Sequence, residues 1–439
     1  MGATISTTNS ESALQADLHQ PLSRRDAIVE SERCFFCYDA PCLQACPTSI
    51  DIPLFIRQIR GDNPQGAAKT IFSENILGGM CARVCPTETL CEQVCVREES
   101  EGAPVRIGLL QRYATDHFME SGEHPVQRAE DSGQRVAVVG AGPAGLSCAH
   151  RLSSYGHQVD LYDARKKPGG LNEFGIASYK SPNNFAQREV DFVLNLGGID
   201  LKLGVRVGSD ATLEALAKDY QAVFLAAGLG GVNALAIPGV ELQGVRDAVE
   251  FIEELRQCDD YSQMQIGERV AVVGGGMTAI DAAVQAKMLG AREVTVLYRG
   301  AQEKMKASSF EQELAQKHGV KLSFNVSPEK IIGENGAVQA VQLQRSSGSE
   351  SATETLAIDT LLVAIGQRLD DGFSGQLAQQ GLVVDAGKIS VDSQGRCADT
   401  RFWAGGDCAS GGDDLTVTAV QEGKCAAESI HAALTAQEA

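Results

Sequence analysis

Two glycine-rich turns, each set between an apolar strand and a helix, and one cysteine-dense stretch ahead of them predict the fold class of this chain. It is α/β, with a helical N-terminal domain followed by two nested Rossmann-like dinucleotide-binding domains. The expected boundaries are 1–133 for the helical domain and 134–230 with 366–439 for a discontinuous first dinucleotide domain. The second dinucleotide domain is expected at 231–365. A chain of 439 residues is too long for a single core and accommodates this division.

Composition narrows the function. The chain is 43% hydrophobic and 22% charged, ordinary values for a globular protein. Its 57 acidic against 38 basic residues give a formal charge of −19, which repels nucleic acid and anionic membranes and removes both as expected partners. No apolar run approaches the roughly eighteen residues of a membrane span. The N-terminus has neither the basic nor the apolar region of a secretory signal, so a cytoplasmic location with reduced or metal-bound thiols is expected. Gly2 with Ser6 matches a myristoylation pattern too short to carry weight.

The first domain is organised by its cysteines. Eight of the 13 lie between Cys34 and Cys95: Cys34, Cys37, Cys42 and Cys46, then Cys81, Cys85, Cys91 and Cys95. Proline follows Cys46 and Cys85. Thiolates at such short intervals suit two iron–sulfur clusters. Structural zinc often recruits histidine, and none falls in this stretch. Disulfides conflict with the expected compartment. In two-cluster ferredoxins the cysteine before proline serves the other cluster. Counting then puts Cys34, Cys37 and Cys42 on one cluster and Cys46 on the second, with Cys81 the natural eighth ligand. Residues 1–30 are polar and expected to be frayed or lightly docked. Short amphipathic helices are predicted over 51–72 and a further one over 107–119. The polar, turn-rich segment 121–134 reads as a linker.

At Arg135 the pattern changes. Arg-Val-Ala-Val-Val-Gly140 is a buried strand, Gly140-Ala-Gly142-Pro-Ala-Gly145 a turn opening a helix over 146–155, and residues 158–163 a second strand ending in Asp163. This is a full dinucleotide fingerprint: the glycines let the backbone approach a pyrophosphate at the helix N-terminus, and the acid accepts from a ribose hydroxyl. The unit repeats from Arg269, with Gly274, Gly276 and Ala279 in the turn, a helix through Leu289 and a strand ending in Tyr298-Arg299. Two complete units point to two dinucleotides. Arginine in place of the acid suits the 2′-phosphate of NADP, although Gly300 rather than a second basic residue follows it. Strands are also predicted at 222–228 and 359–366, where the chain should cross between domains, and at 402–407. A polar hairpin tip or loop is expected at 346–353, and a helix over 415–434. Cys148, Cys258, Cys397, Cys408 and Cys425 are isolated and read as small buried hydrophobes. With no cysteine between Cys148 and Cys258, a bound flavin has no nearby dithiol to reduce, which leaves the clusters as its outlet.

The motifs CFFCYDAPCLQACP, CARVCPTETLCEQVC, IGLLQR, VAVVGAGPAGL, PGGLNEFGI, VAVVGGGMTAID and AGGD together resemble the glutamate synthase small-subunit family of flavin–iron–sulfur oxidoreductases. Within it they resemble most the branch serving NAD-dependent dihydropyrimidine dehydrogenases, over nearly the whole chain. The resemblance implies one [4Fe–4S] cluster on Cys34, Cys37, Cys42 and Cys95, and another on Cys46, Cys85, Cys91 and Gln111 in place of Cys81. It implies FAD on Gly140, Gly142, Ala144, Gly145 and Asp163, with Gly169-Gly170 and Leu171 as a second contact motif and Gly406, Asp407 and Thr416 as a late one. Lys180 stands where the family often has arginine in an F-R-L-P segment, and so becomes an implied flavin contact. Gly274, Gly276, Thr278, Ala279 and Arg299 are implied to bind the nicotinamide nucleotide, NADH as in the nearest relatives or NADPH as the alternative. The implied activity is hydride transfer from nicotinamide to flavin, then single-electron transfer through the clusters, with no protein acid or base required. The implied partner is a separate FMN- and iron–sulfur-containing catalytic subunit in a hetero-oligomer, reducing uracil or thymine to the 5,6-dihydropyrimidine. Alternatives are the glutamate synthase small subunit and, from another class, a non-catalytic scaffold that keeps its cofactors only for folding.

Overall fold

The structure, a computed structural model, describes Leu14 and residues 16–347, 350–398 and 401–436. Gly2 and Ser6 lie outside the described residues. The chain divides into two compact units. The larger comprises His19–Glu173, Asn184–Gly231 and Arg368–Ala439; the smaller comprises the residues up to Leu18, Phe174–Asn183 and Val232–Gln367.

The larger unit begins with helices whose starts are written in the sequence. Ser23 caps Arg24–Ser31, Asp51 caps Ile52–Arg60 through the Leu54 amide, and Asn63 caps Pro64–Glu74 through the Gly66 amide. A proline sits in the first turn of each of the last two, where its missing N–H costs nothing. Helix Ile107–Glu120 buries Ile107, Leu110, Gln111, Ala114, Thr115 and Phe118, the spacing of one helical face. Phe118 meets Phe72 edge to face at 5.7 Å. Residues expected to be frayed are in part ordered, since Arg24–Ser31 is helical and Glu30 is buried under Arg33 and Arg106.

The same unit contains a five-stranded parallel sheet in the order Phe402–Ala404, Ala222–Leu225, Arg135–Val139, Gln158–Asp163, Ile199–Leu203. The fingerprint strand is central and buried at Val136, Ala137, Val138 and Val139. Helices Pro143–Ser154 and Thr416–Thr435 cross so closely that any side chain at Gly423 would overlap the Ala144 carbonyl.

The smaller unit repeats this plan. Its parallel sheet runs Val245–Asp247, Thr360–Val363, Arg269–Val273, Glu293–Tyr298, Lys321–Phe324, again with the fingerprint strand central. A second, antiparallel sheet of Val326–Glu334, Ala337–Ser347 and Glu350–Ala357 packs Val338, Val341 and Leu343 into its core. Of the polar segment expected at 346–353, residues 346–347 and 350–353 lie in paired antiparallel strands, and 348–349 lie outside the described residues. Residues 174–183, which nothing in the sequence separates from the flavin-motif stretch, belong to this unit. There Leu14, Ala177 and Tyr179 join the core of helix Met277–Met288. Among the described residues no helix is long and apolar enough to cross a membrane.

Candidate functional site

The first fingerprint is built by close approach. A methyl on Gly140 would overlap the Ala226 carbonyl oxygen, and one on Gly145 the Gly140 carbonyl oxygen. Gly142, the N-cap of helix Pro143–Ser154, has only Gly170 within 4 Å of its Cβ position, at 3.7 Å, and stands at a helix N-terminus of the kind that binds anions. Around that turn the fold collects the other motifs. Gly169 donates its amide to the Ala141 carbonyl at 2.8 Å, and Gly406 lies against the Ala144 methyl. Thr416 Oγ1 is 2.9 Å from Asn172 Oδ1, which ties the late helix to the second motif. Leu171 beside it is 38% exposed. Asp163 accepts the Ala141 amide on one oxygen and the Arg165 amide on the other, each at 2.8 Å. Burial pushes its carboxyl up, against the pull of those two N–H groups. Burial also pushes Asp407 up to about 6, with Asp414 adding to the effect.

Glu422 was not singled out in the sequence. From helix Thr416–Thr435 it accepts the Gly406 amide at 2.6 Å and the Gly412 amide at 3.1 Å, closing the loop that carries Asp407. Its only sequence signal is an acid on an otherwise apolar helix face.

The second fingerprint lies in the smaller unit. A methyl on Gly274 would overlap the Ala364 carbonyl, whereas Gly276 has no neighbour within 4 Å of its Cβ position and caps helix Met277–Met288. Thr278 is half-buried and Ala279 fully buried. Arg299, Lys304 and Lys306 are all exposed beyond the second strand. Tyr298 donates its hydroxyl to the Lys304 carbonyl at 2.6 Å, which holds this basic loop.

Lys180, implied by the resemblance as a flavin contact, is ion-paired in the structure. It belongs to the smaller unit, where its Nζ lies 2.8 Å from both Asp281 Oδ1 and Glu311 Oε1, and Tyr179 donates to Asp281 at 2.9 Å. Burial alone would lower the Lys180 pKa, but the two carboxylates hold it above the usual lysine range. A buried ammonium needs such partners, and here they are Asp281 and Glu311.

Eight of the cysteines form two adjoining groups, and none of the 13 is in a disulfide. Cys34, Cys37, Cys42 and Cys95 line one cavity with Ile52, Ile56, Val105 and Ile107. Burial, then Cys34 and Cys95, push the Cys42 thiol up to about 12. In the second group Cys85 is raised first by a hydrogen bond with Cys81, then by burial, with Cys91 and Cys46 also near. Cys91 is raised by burial and then by Glu92, and it feels Cys46 and Cys42. Gln111 is buried and donates Nε2 to the Gly78 carbonyl at 2.7 Å, at the start of the helix that carries Cys81. Cys81 thus joins this group, and Gln111 is bonded to the first residue of the helix that carries it. Two carboxylates set the scaffold. Glu92 accepts the Gly108 amide at 2.9 Å at the head of the Gln111 helix, and Glu189 accepts the Met80 amide at 2.8 Å.

The donor sets fit iron–sulfur clusters. Among the described residues no three His, Cys, Asp or Glu side chains converge closely enough for a single metal ion. A ring of four thiols round one cavity suits a polynuclear cluster. The crowded thiols, raised while protonated, would be deprotonated on binding iron.

Comparison with known proteins agrees with this architecture. Residues 134–423 match the family model "Pyridine nucleotide-disulphide oxidoreductase", and residues 11–123 match "Dihydropyrimidine dehydrogenase domain II, 4Fe-4S cluster". The chain belongs to the pyridine nucleotide-disulphide oxidoreductase family and is an NAD(P)H-dependent flavin oxidoreductase with an N-terminal iron–sulfur domain. It is 35% identical over 406 residues to the NAD-dependent dihydropyrimidine dehydrogenase subunit PreT of Escherichia coli (strain K12), covering 92% of this chain and 93% of that one. It is 31% identical over 442 residues to the glutamate synthase [NADPH] small chain of the same organism, covering 94% and 93%. In fold it is similar to the thioredoxin reductase of T. acidophilum, with a TM-score of 0.56 at 20% identity over 68% of this chain and 98% of that one. Mycobacterium tuberculosis FprA, solved with NADPH, gives a TM-score of 0.58 at 19% identity over 70% and 85%.

Proposed function

We propose that this chain is an electron-input subunit. It oxidises NAD(P)H at FAD and delivers electrons through two [4Fe–4S] clusters to a separate FMN- and iron–sulfur-containing catalytic subunit that reduces uracil or thymine. The observation that carries this reading is the housing of the flavin motifs and both cysteine groups in one unit. Within it the helix Gly78–Val84 is fastened to Phe185–Leu194 by Glu189. The similarity to a subunit named as NAD-dependent dihydropyrimidine dehydrogenase supports the partner and NADH.

When bound, the nicotinamide supplies a hydride, the flavin exchanges two electrons, and each cluster carries one. The residues of the chain bind and orient. The amides at Gly142 and Ala144 would hold the FAD pyrophosphate, Gly140 and Gly145 would allow that approach, and Asp163 would accept from the ribose. Gly170, Leu171, Gly406, Asp407 and Thr416 would contribute the remaining FAD contacts. Gly274, Gly276, Thr278 and Ala279 hold the nucleotide pyrophosphate. Cys34, Cys37, Cys42 and Cys95 hold one cluster; Cys46, Cys85, Cys91 and Gln111 hold the other.

Arg299 with the exposed Lys304 and Lys306 favours a second reading, an NADPH-using subunit like the glutamate synthase small chain. The two are separated by pairing the holoprotein with each type of catalytic subunit. Uracil-dependent oxidation of NADH supports the first. Oxidation of NADPH dependent on glutamine plus 2-oxoglutarate, with no response to uracil, would replace it with the second.

A further inference from the structure

The strand that follows the second fingerprint ends in a side chain that no nucleotide motif claims. Tyr298 is half-buried, and its ring lies between two glycines. A side chain at Gly275, in the fingerprint turn, would overlap the ring. One at Gly300 would begin 2.9 Å from the ring and 3.2 Å from its hydroxyl. Neither glycine has the positive φ that favours glycine for backbone reasons, so room for the ring is what each supplies. Tyr298 therefore accounts for a glycine, rather than a basic residue, directly after Arg299.

The same ring clasps the loop that comes next. Its hydroxyl donates to the Lys304 carbonyl at 2.6 Å, and the Ala307 amide donates to the Gly275 carbonyl at 3.0 Å. Gln312 Nε2 donates to the Ala307 carbonyl at 3.0 Å and secures the far end. Residues 299–307 are thus folded back onto the fingerprint turn. Buried Met305 and Ala307 alternate with exposed Lys304 and Lys306. One hydroxyl touches both the Lys304 carbonyl and the place of a Cβ at position 300, so Lys304 is brought beside the spot that glycine leaves empty. Among the described residues none of Arg299, Lys304 and Lys306 is paired with a carboxylate.

Arginine at the end of this strand suits a 2′-phosphate, and a phosphate of up to two charges calls for a second cation. We propose that Lys304 is that cation and that Tyr298 is the residue positioning it. The choice between nucleotides is then set by a clasped loop instead of by the residue after Arg299, and the ligand class is a dinucleotide carrying a 2′-phosphate, NADPH. Tyr298 acts only through the loop. This deepens the proposed function, rests on its nucleotide site and holds for either catalytic partner.

The test uses the full holoprotein and steady-state reduction of a small dye by NADPH and by NADH. Tyr298→Phe, which keeps the ring and loses the clasp, and Lys304→Gln are compared with wild type, with flavin and iron content measured alongside. Wild type should accept NADPH. Each variant should lower kcat/KM for NADPH about tenfold, through KM, while NADH kinetics stay within about twofold. Adenosine 2′-phosphate should inhibit wild type more strongly than either variant. A merely structural role for Tyr298 would weaken both nucleotides alike, which would overturn its positioning role. An NADPH-to-NADH ratio within about twofold of wild type in Lys304→Gln would overturn the assignment of Lys304, and that exposed side chain decides alone if Tyr298→Phe loses flavin. A wild type that takes NADH and refuses NADPH would overturn the inference while leaving the proposed function standing. One that reduces dye with neither nucleotide would overturn both.

Discussion

Glu422 and Gly406, sixteen positions apart, are joined by a 2.6 Å hydrogen bond from the Gly406 amide to one carboxylate oxygen, while the other oxygen takes the Gly412 amide. One side chain from the C-terminal helix therefore fixes the loop bearing Asp407. Glu422→Ala leaves both amides without their acceptor, a loss of about 2 kcal/mol in holding the loop. The expected outcome is FAD release at concentrations where wild type retains it, measured by fluorescence of the freed flavin. Glu422→Gln keeps one acceptor and should fall between the two.

Gly170 meets Gly142 so closely that a Cβ on Gly170 would lie 2.7 Å from the Gly142 Cα, and its φ of +54° already disfavours a side chain. Gly170→Ala must displace the fingerprint turn. The expected result is protein with normal iron content but little flavin, at a stability cost of about 1–3 kcal/mol by denaturant titration.

These two glycines show why part of the site was legible. A turn that must bring backbone against backbone admits only glycine, so Gly140, Gly145 and Gly274 announce themselves. The central strands were legible for a similar reason, being apolar along their whole length. Lys180 was not, because its role depends on Asp281 and Glu311, roughly a hundred or more positions away in sequence. Nor was the membership of residues 174–183 in the smaller unit, which rests on Tyr179 packing into a core made of distant helices. Glu422 looks like any helical acid until the loop it closes is folded.

The cysteines give a sharper contrast. Cys81 is hydrogen-bonded to Cys85 of the second group, and the Gln111 amide is anchored to Gly78 through its nitrogen, so the proposed ligation would use its carbonyl oxygen. Cys81→Ser should keep about eight irons per chain, and Gln111→Ala should lose about half of them. Iron analysis with electron paramagnetic resonance of the reduced protein reads both. Loss of one cluster in Cys81→Ser alone would transfer the eighth position to Cys81.

Acid stability follows from a histidine pair. His150 is 5% exposed, with Nε2 3.3 Å from His124 Nε2, and burial followed by the neighbouring His124 pushes its pKa down to about 3. The unfolded chain takes up this proton near pH 6.5, the folded one only near pH 3, so stability is whole above 6.5 and falls as pH drops between the two. At pH 5 the loss is about 2 kcal/mol relative to pH 7.5. Denaturation midpoints at the two values should differ less in His150→Phe than in wild type.

The central claim is that nucleotide, flavin and clusters form one electron path within this chain. Its most direct test is anaerobic titration of the holoprotein with NADH or NADPH, following flavin absorbance and the electron paramagnetic resonance of the clusters together. The expected result is bleaching of the flavin by at least one of the two nucleotides, with cluster signals growing in step. Clusters that stay oxidised after the flavin is fully reduced, or a flavin that neither nucleotide bleaches, would contradict it.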